Sequence, residues 1–132
     1  MAAFVGTLVV ILKSANFEKD KDTVGKMDPF AVLKVGSQEF KSKVAQGQGK
    51  IPSWMETFTF KINGETSLEI KFSDNDTAGM NDRLGTAKID LHEVFKKRRV
   101  EKNYDVKKLW AFKKGTVLLE MNFTPSAASA KI

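Results

Sequence analysis

The chain contains no cysteine and a single histidine, His92. The lack of cysteine excludes disulfide bonds and thiolate metal sites, and it suits a reducing compartment. A lone histidine, without cysteine or a serine in a nucleophile-elbow motif, offers no recognisable pairing of a nucleophile with its base. We therefore expect a protein that is not an enzyme.

Extended hydrophobic runs are also lacking. The apolar run 8–12 is too short for a signal-peptide core or a membrane span, and residues 1–4 carry no charged side chain. Position 2 is alanine rather than glycine, which excludes N-myristoylation. These features predict a cytoplasmic protein.

What the chain does contain is enough apolar material for one core. Of its 132 residues 42% are hydrophobic, which predicts a single domain over residues 1–124 and a disordered small-residue tail over 125–132. The large aromatic residues should pack in this core or at its rim: Trp54, Trp110, Phe58, Phe60, Phe72 and Phe112.

Short strand-like segments separated by turn signals dominate the chain. The pattern predicts strands over residues 6–13, 30–35, 38–44, 57–62, 67–72, 83–89, 103–106 and 115–123. Gly36-Ser37 should form a turn, and Asn63-Gly64 predicts a hairpin between the fourth and fifth strands.

One helix interrupts the strands. Asp90 and Glu93 have the spacing of a capping box, and Leu91, Val94 and Phe95 fall on one face. The four cations of residues 96–99 would complement the end of a helix of two or three turns. The predicted fold is all-β: an eight-stranded antiparallel β-sandwich with one short helix before the seventh strand.

Five aspartates form two clusters in predicted loops. Asp22 and Asp28 lie between the first two strands, whereas Asp74, Asp76 and Asp82 lie between the fifth and sixth. Carboxylates brought together repel one another, so a fold that joins the loops needs a hard cation such as Ca²⁺. The alternative is ordinary turn chemistry, since Asp, Asn and Gly favour loops without any ligand.

An EF-hand does not explain the second cluster. Counting from Asp74, the fifth position is Ala78, and the twelfth is Gly85 where that loop requires a bidentate glutamate. The flanking segments are strands rather than helices. Another calcium geometry is therefore needed.

The spacing of the aspartates resembles that of the C2 domain, a calcium- and lipid-binding module. The motifs that carry this resemblance are Asp22-x5-Asp28-Pro-Phe, Asp74-x-Asp76-x5-Asp82, Gly6-x-Leu8-x-Val10 and Pro52-x-Trp54-x-Glu56-x-Phe58-x-Phe60. The match spans about residues 4–124. Residues 41–49 are most similar to the small single-domain C2 proteins of plants.

The resemblance implies a fold, a metal site and a membrane surface. The strands should follow the type II topology, with two, sometimes three, Ca²⁺ ions between the loops. The implied ligands are Asp22, Asp28, Asp74, Asp76, Asp82 and the backbone carbonyl of Asn75. A monomer would dock reversibly on anionic phospholipid through Lys34, Lys41, Lys43, Met27 and Met80.

The chain departs from the family pattern in the second loop and at the loop tips. Ile51 and Met55 stand where the family usually has asparagine, and Thr23 and Ala78 replace large apolar tip residues, which predicts shallow docking. A different function stays open. The basic faces, residues 96–99 included, could bind proteins or RNA, with calcium incidental or regulatory, although the nucleic-acid signal is weak.

Overall fold

A computed structural model of the chain describes residues 3–18, 27–75, 82–108 and 112–126. Within these ranges the chain forms eight strands and one helix. In chain order they are β1 Val5–Phe17, β2 Pro29–Val35, β3 Gln38–Lys41, β4 Ser53–Asn63, β5 Ser67–Asp74, β6 Asp82–Asp90, α1 His92–Lys97, β7 Arg99–Lys108 and β8 Phe112–Pro125.

The strands form two antiparallel four-stranded layers, β3-β2-β5-β6 and β7-β8-β1-β4. The layers are joined at one edge, where Thr86 of β6 pairs with Lys107 of β7. The predicted eight-stranded antiparallel sandwich, with a helix before the seventh strand, is confirmed. The chain starts with the strand that leads into the first acidic loop and ends with β8 beside it, as the type II arrangement requires.

The core lies between the two layers because strands such as β4 and β8 alternate buried apolar residues with more exposed ones. Leu8, Val10 and Leu12 of β1 are fully buried. The ring of Phe72 on β5 crosses the interior to Phe17 of the other layer, with ring centroids 5.3 Å apart. Burial of one such side chain contributes about 1.5–3 kcal/mol to stability.

The predicted hairpin between the fourth and fifth strands is wrong, although the turn exists. Gly64 has a positive φ of 94°, yet β4 pairs with β1 and β5 pairs with β2 and β6. The turn therefore carries the chain from one layer to the other. A local turn signal specifies a change of direction, whereas pairing depends on contacts distant in sequence.

The helix is shorter than expected, and its capping box does not form. It has six residues, and the carboxylate of Asp90 accepts a hydrogen bond from the backbone N–H of His92 at 2.9 Å. Glu93 instead pairs with Lys97 and Lys102, at 3.0 and 2.6 Å. The predicted apolar face is confirmed, since Leu91, Val94 and Phe95 are buried.

Several predicted boundaries and one burial prediction change. Pro125 ends β8, one residue past the predicted boundary at 124, and the backbone N–H of the following Ser126 donates to the carbonyl of Val5 at 2.9 Å. Residues 127–132 lie outside the described residues, so the disordered tail stays a prediction. Phe112 is 60% exposed, which contradicts its predicted packing. Trp110 lies outside the described residues.

The third strand is short and is fixed to β2 by a buried serine. It ends at Lys41 rather than at residue 44. The Ser42 hydroxyl, 5% exposed, accepts a hydrogen bond from the backbone N–H of Ala31 at 2.8 Å and donates one to the carbonyl of Lys43 at 2.9 Å. Ser42 therefore fixes the position of the two lysines beside it.

Met55 has a backbone conformation that disfavours its side chain. Its φ of 51° lies in the left-handed region, and its side chain is 61% exposed. Asparagine tolerates this region better than methionine does. The departure from the family pattern at position 55 therefore introduces backbone strain.

We expect Met55→Asn to stabilise the protein by about 0.5–1 kcal/mol, because it relieves this strain and loses little buried area. Thermal denaturation should show a melting temperature about 3 °C higher. The control is Thr57→Asn, at an exposed position of the same strand that lacks a positive φ. Equal melting temperatures in wild type and Met55→Asn would contradict the assignment of strain.

We expect Ser42→Ala to lower the free energy of unfolding by about 1–3 kcal/mol, because it leaves the buried N–H of Ala31 without a partner. Urea denaturation measures this change. Ser37→Ala, in the exposed β2–β3 turn, is the matched control and should leave stability unchanged. A loss of the same size in both variants would rule out the proposed role of the Ser42 hydroxyl.

Candidate functional site

The two acidic loops meet at one end of the sandwich. Asp28 immediately precedes β2 and Asp74 ends β5, and these antiparallel strands pair so that Pro29 lies opposite Asp74. The backbone N–H of Asp28 donates to Oδ1 of Asp74 at 2.8 Å. The N–H of Asn75 returns a bond to the carbonyl of Asp28 at 2.9 Å. The side chain of one cluster is thus bonded to the backbone of the other.

A third segment, the β3–β4 loop of residues 42–52, folds against the same point. The backbone N–H of Gly47 donates to Oδ1 of Asp28 at 2.6 Å, and that of Gly49 donates to the carbonyl of Met27 at 2.9 Å. Both glycines have positive φ angles. No sequence signal indicated that this loop bonds directly to Asp28.

Asp28 and Asp74 keep capacity for a cation. In each carboxylate Oδ1 is engaged by a backbone N–H, whereas Oδ2 receives no hydrogen bond from the described part of the chain. Both side chains are partly exposed. Two neighbouring carboxylates repel each other, and their oxygens are suited to a hard divalent ion.

The other predicted ligands are only partly described. Asp82 lies opposite Asp74 in the β5–β6 register, so its backbone is at the same end of the sandwich. Asp22 and Asp76 lie outside the described residues, and so does Met80. Among the residues that the structure describes, no group of three or more metal-binding side chains comes together. The five-aspartate ligand set and the Asn75 carbonyl stay predictions.

Met27 is placed differently from the sequence-based expectation. Its side chain is 7% exposed and belongs to the core. In this position it has almost no surface to offer a bilayer, which argues against its expected lipid contact. The exposed apolar residue of this region is Ile51 in the β3–β4 loop, 62% exposed.

The three predicted lysines differ in their surroundings. Lys34 on β2 lies between Glu39 of β3 and Glu69 of β5 in the sheet register. Because opposite charges flank it, its field is partly offset. Two residues back along β2, Val32 pairs with Lys41 of β3 on one side and with Lys71 of β5 on the other. Lys71 could not be recognised from the sequence, because nothing local reveals which residues lie side by side on neighbouring strands.

Lys41 and Lys43 are held in place by contacts around them. The ammonium of Lys41 lies 4.5 Å from the ring centroid of Phe30. Lys43 lies beyond the end of β3. Its backbone N–H donates to Glu56 at 2.6 Å, and its carbonyl accepts from the indole N–H of Trp54 at 3.0 Å. Both lysines are exposed and form no ion pair with another described residue.

No helix among the described residues has the length and apolar character needed to cross a membrane. The strand register gives a sandwich whose acidic loops meet at one end and whose β2–β3 face carries lysines.

Comparison with known proteins agrees with this geometry. The family model of the C2 domain matches residues 6–106. The chain is 38% identical to 16 kDa phloem protein 2 of Arabidopsis thaliana over 123 residues, which are 92% of this chain and 83% of that protein. It is also 38% identical to elicitor-responsive protein 3 of Oryza sativa subsp. japonica over 122 residues, which are 91% and 84% of the two chains.

Solved structures give the same result. A C2 domain-containing protein superposes with a TM-score of 0.84 at 36% identity, covering 98% of this chain and 96% of that one. The chain also superposes on about half of a calcium-bound structure of the C2A and C2B domains of Extended-Synaptotagmin 2. The TM-score is 0.77 at 29% identity, and the match covers 93% of this chain and 47% of that one. The chain belongs to the C2 domain family.

Proposed function

We propose that this protein is a calcium-dependent module that docks on anionic phospholipid and has no catalytic activity. The observation that carries the proposal is the junction of the two acidic loops, where the Asp28 amide donates to Asp74 and each carboxylate has an oxygen that no described residue engages. The likeness to a C2 structure described as calcium bound supports it.

The metal site would contain more ligands than this junction alone. Asp22, Asp76 and Asp82 would complete it with the carbonyl of Asn75, and two or three Ca²⁺ ions would be bound. Ca²⁺ takes six to eight oxygen ligands, so several carboxylates are needed around even one ion. The Gly47 amide donates to one oxygen of Asp28, and the Asp28 amide donates to one oxygen of Asp74. The second oxygen of each carboxylate would bind the metal.

Electrostatics explain why membrane docking would depend on bound calcium. Each basic residue near an anionic surface contributes about 1 kcal/mol, so Lys34, Lys41 and Lys43 together contribute about 3 kcal/mol at most. A millimolar dissociation constant already requires about 4 kcal/mol. The lysines alone therefore do not keep the protein on a membrane, and bound Ca²⁺ supplies the additional positive charge. Anionic lipid in the cytoplasmic leaflet fits reversible docking from the cytoplasm.

Asp74→Asn should weaken Ca²⁺ binding about tenfold or more, because it removes a ligand charge while its amide oxygen can still accept the Asp28 N–H. Asp76→Asn should act in the same direction. Calorimetric titration measures the affinity. Wild type should also melt at a higher temperature with calcium than with chelator, because bound calcium adds about 2.7 kcal/mol to the free energy of unfolding at a hundredfold excess over the dissociation constant.

The control is Glu39→Gln, which removes an exposed carboxylate from β3, away from the junction. It should bind Ca²⁺ as wild type does. Equal calcium affinity in wild type and in Asp74→Asn would place the site elsewhere. A wild-type protein that neither takes up Ca²⁺ nor changes its melting temperature would refute the metal-binding proposal.

Lys41→Gln with Lys43→Gln should weaken calcium-dependent binding to phosphatidylserine vesicles by about 2 kcal/mol, or about thirtyfold. Lys34→Gln should have a smaller effect, since Glu39 and Glu69 flank that lysine. Vesicle cosedimentation in the presence of calcium measures both.

The matched control removes two exposed lysines elsewhere, Lys61 on β4 and Lys96 on α1, by Lys61→Gln with Lys96→Gln. Its binding should stay near that of wild type, and calcium affinity in solution should be the same for all variants. If both double variants bind vesicles equally well, the β2–β3 face is not the docking surface. Calcium-independent binding to phosphatidylserine vesicles would favour an adaptor role through basic faces.

A further inference from the structure

A groove of about 730 Å³ opens between β6 and β7. These neighbouring strands diverge, since the described residues contain one backbone pair between them, Thr86 with Lys107. Gly85 allows the close approach at this point, because a Cβ there would lie 2.7 Å from Val106 Cγ1 and 3.1 Å from the Lys107 carbonyl. The groove therefore lies along the edge where the two layers meet.

Four cations line the groove: Arg83, Lys88, Lys107 and Lys108. None of them forms an ion pair with another described residue, whereas Lys13, Lys97, Lys102 and Arg99 are all paired with glutamates. Among the described lining residues the carboxylate is that of Asp105, and Lys113 lies 3.4 Å from it. Glu69 lies opposite Lys88 in the register and offsets part of its charge, but the described lining still has a net positive charge.

Neutral donors accompany the cations. Tyr104 and Thr86 both line the groove and are half-buried. Burial, with a smaller contribution from the carboxylate of Glu93, raises the pKa of Tyr104 to about 12. The phenol therefore keeps its proton at neutral pH and can donate a hydrogen bond to an anion.

The groove is separate from the surfaces already discussed. Lys34 and Lys41 lie on β2 and β3, and β5 stands between those strands and β6. In the row of Lys34 and Lys88 the intervening residue is the acidic Glu69. The groove residues also include none of the loop aspartates, so a ligand here needs no calcium.

The size and charge of the groove specify a class of ligand. Sites for small molecules usually measure about 300–1,000 Å³, so this groove is far larger than one phosphate ion requires. Four cations around one groove match several phosphate groups on one compact frame. A hydroxyl-rich frame would use the donors of Tyr104 and Thr86 and the carboxylate acceptor of Asp105.

We propose that the β6–β7 groove binds a polyol that carries two or more phosphate monoesters, supplied either by a phosphorylated lipid headgroup or by a soluble polyol phosphate. Lys88, Lys107 and Arg83 contact the phosphates, and Tyr104 donates a hydrogen bond to one of them.

The test is calorimetric titration of the full chain with soluble inositol trisphosphate in calcium-free buffer at about 0.1 M salt. Lys88→Gln with Lys107→Gln should weaken binding at least about tenfold, since it removes two of the four cations. Lys61→Gln with Lys96→Gln removes the same charge elsewhere, and its affinity should stay within about twofold of wild type. The triple replacement of Lys34, Lys41 and Lys43 by Gln should also keep its affinity within about twofold.

Tyr104→Phe should weaken binding while the fold, followed by circular dichroism, is unchanged.

Vesicles identify the source of the ligand. Phosphatidylcholine vesicles that contain phosphatidylinositol bisphosphate are compared with phosphatidylserine vesicles of equal charge, again without calcium. Binding to the former at least about tenfold tighter than to soluble inositol trisphosphate identifies the lipid headgroup, and equal or weaker binding identifies the soluble polyol phosphate. No detectable binding of either probe, or equal losses in the groove variant and the Lys61/Lys96 control, would overturn the proposal.

Discussion

The hydrogen bond from the Asp28 amide to the Asp74 carboxylate joins two segments that are 46 residues apart in the sequence. It links the start of β2 to the end of β5, and the Gly47 amide adds the β3–β4 loop through the carboxylate of Asp28. Three connections therefore converge on two carboxylates. Backbone amides satisfy one oxygen of each, but they supply no charge to offset the repulsion between the two. A divalent cation bound as proposed would supply that charge, so metal binding and the stability of this junction should depend on each other.

The sandwich determines where this junction lies. The antiparallel pairing of β2, β5 and β6 brings Asp28, Asp74 and the backbone of Asp82 to one end, while α1 follows the far end of β6 at the opposite side. The rigid layers thus position the carboxylates. The outer faces of the same strands carry the basic residues, and these divide into the β2–β3 lysines and the β6–β7 groove, with the acidic Glu69 between them. Two anionic ligands of different chemistry can therefore be separated on one small domain.

Local sequence patterns predicted the elements of this fold well. Alternating apolar residues located all eight strands, and the apolar face of α1 is buried as expected, because these features depend on neighbours in the sequence. The pairing of β4 with β1, rather than with β5, was not predictable from the Asn63-Gly64 turn, because it depends on which layer each strand joins. The same limit explains the site. Motif spacing identified the aspartates, but only the strand register shows that Lys34 lies between two glutamates and that Lys71 is close to Lys41.

Backbone amide resonances give the most direct test of the central claim, that the Asp28 and Asp74 carboxylates bind calcium together. In a calcium titration followed by ¹H–¹⁵N NMR, the amides of Gly47 and Asp28 report on the two carboxylates to which they donate. Calcium bound by both carboxylates should cause large, saturable shifts of these two amides and none at Val100, which lies beside α1 at the other end of the sandwich. Unchanged Gly47 and Asp28 resonances at saturating calcium would contradict it.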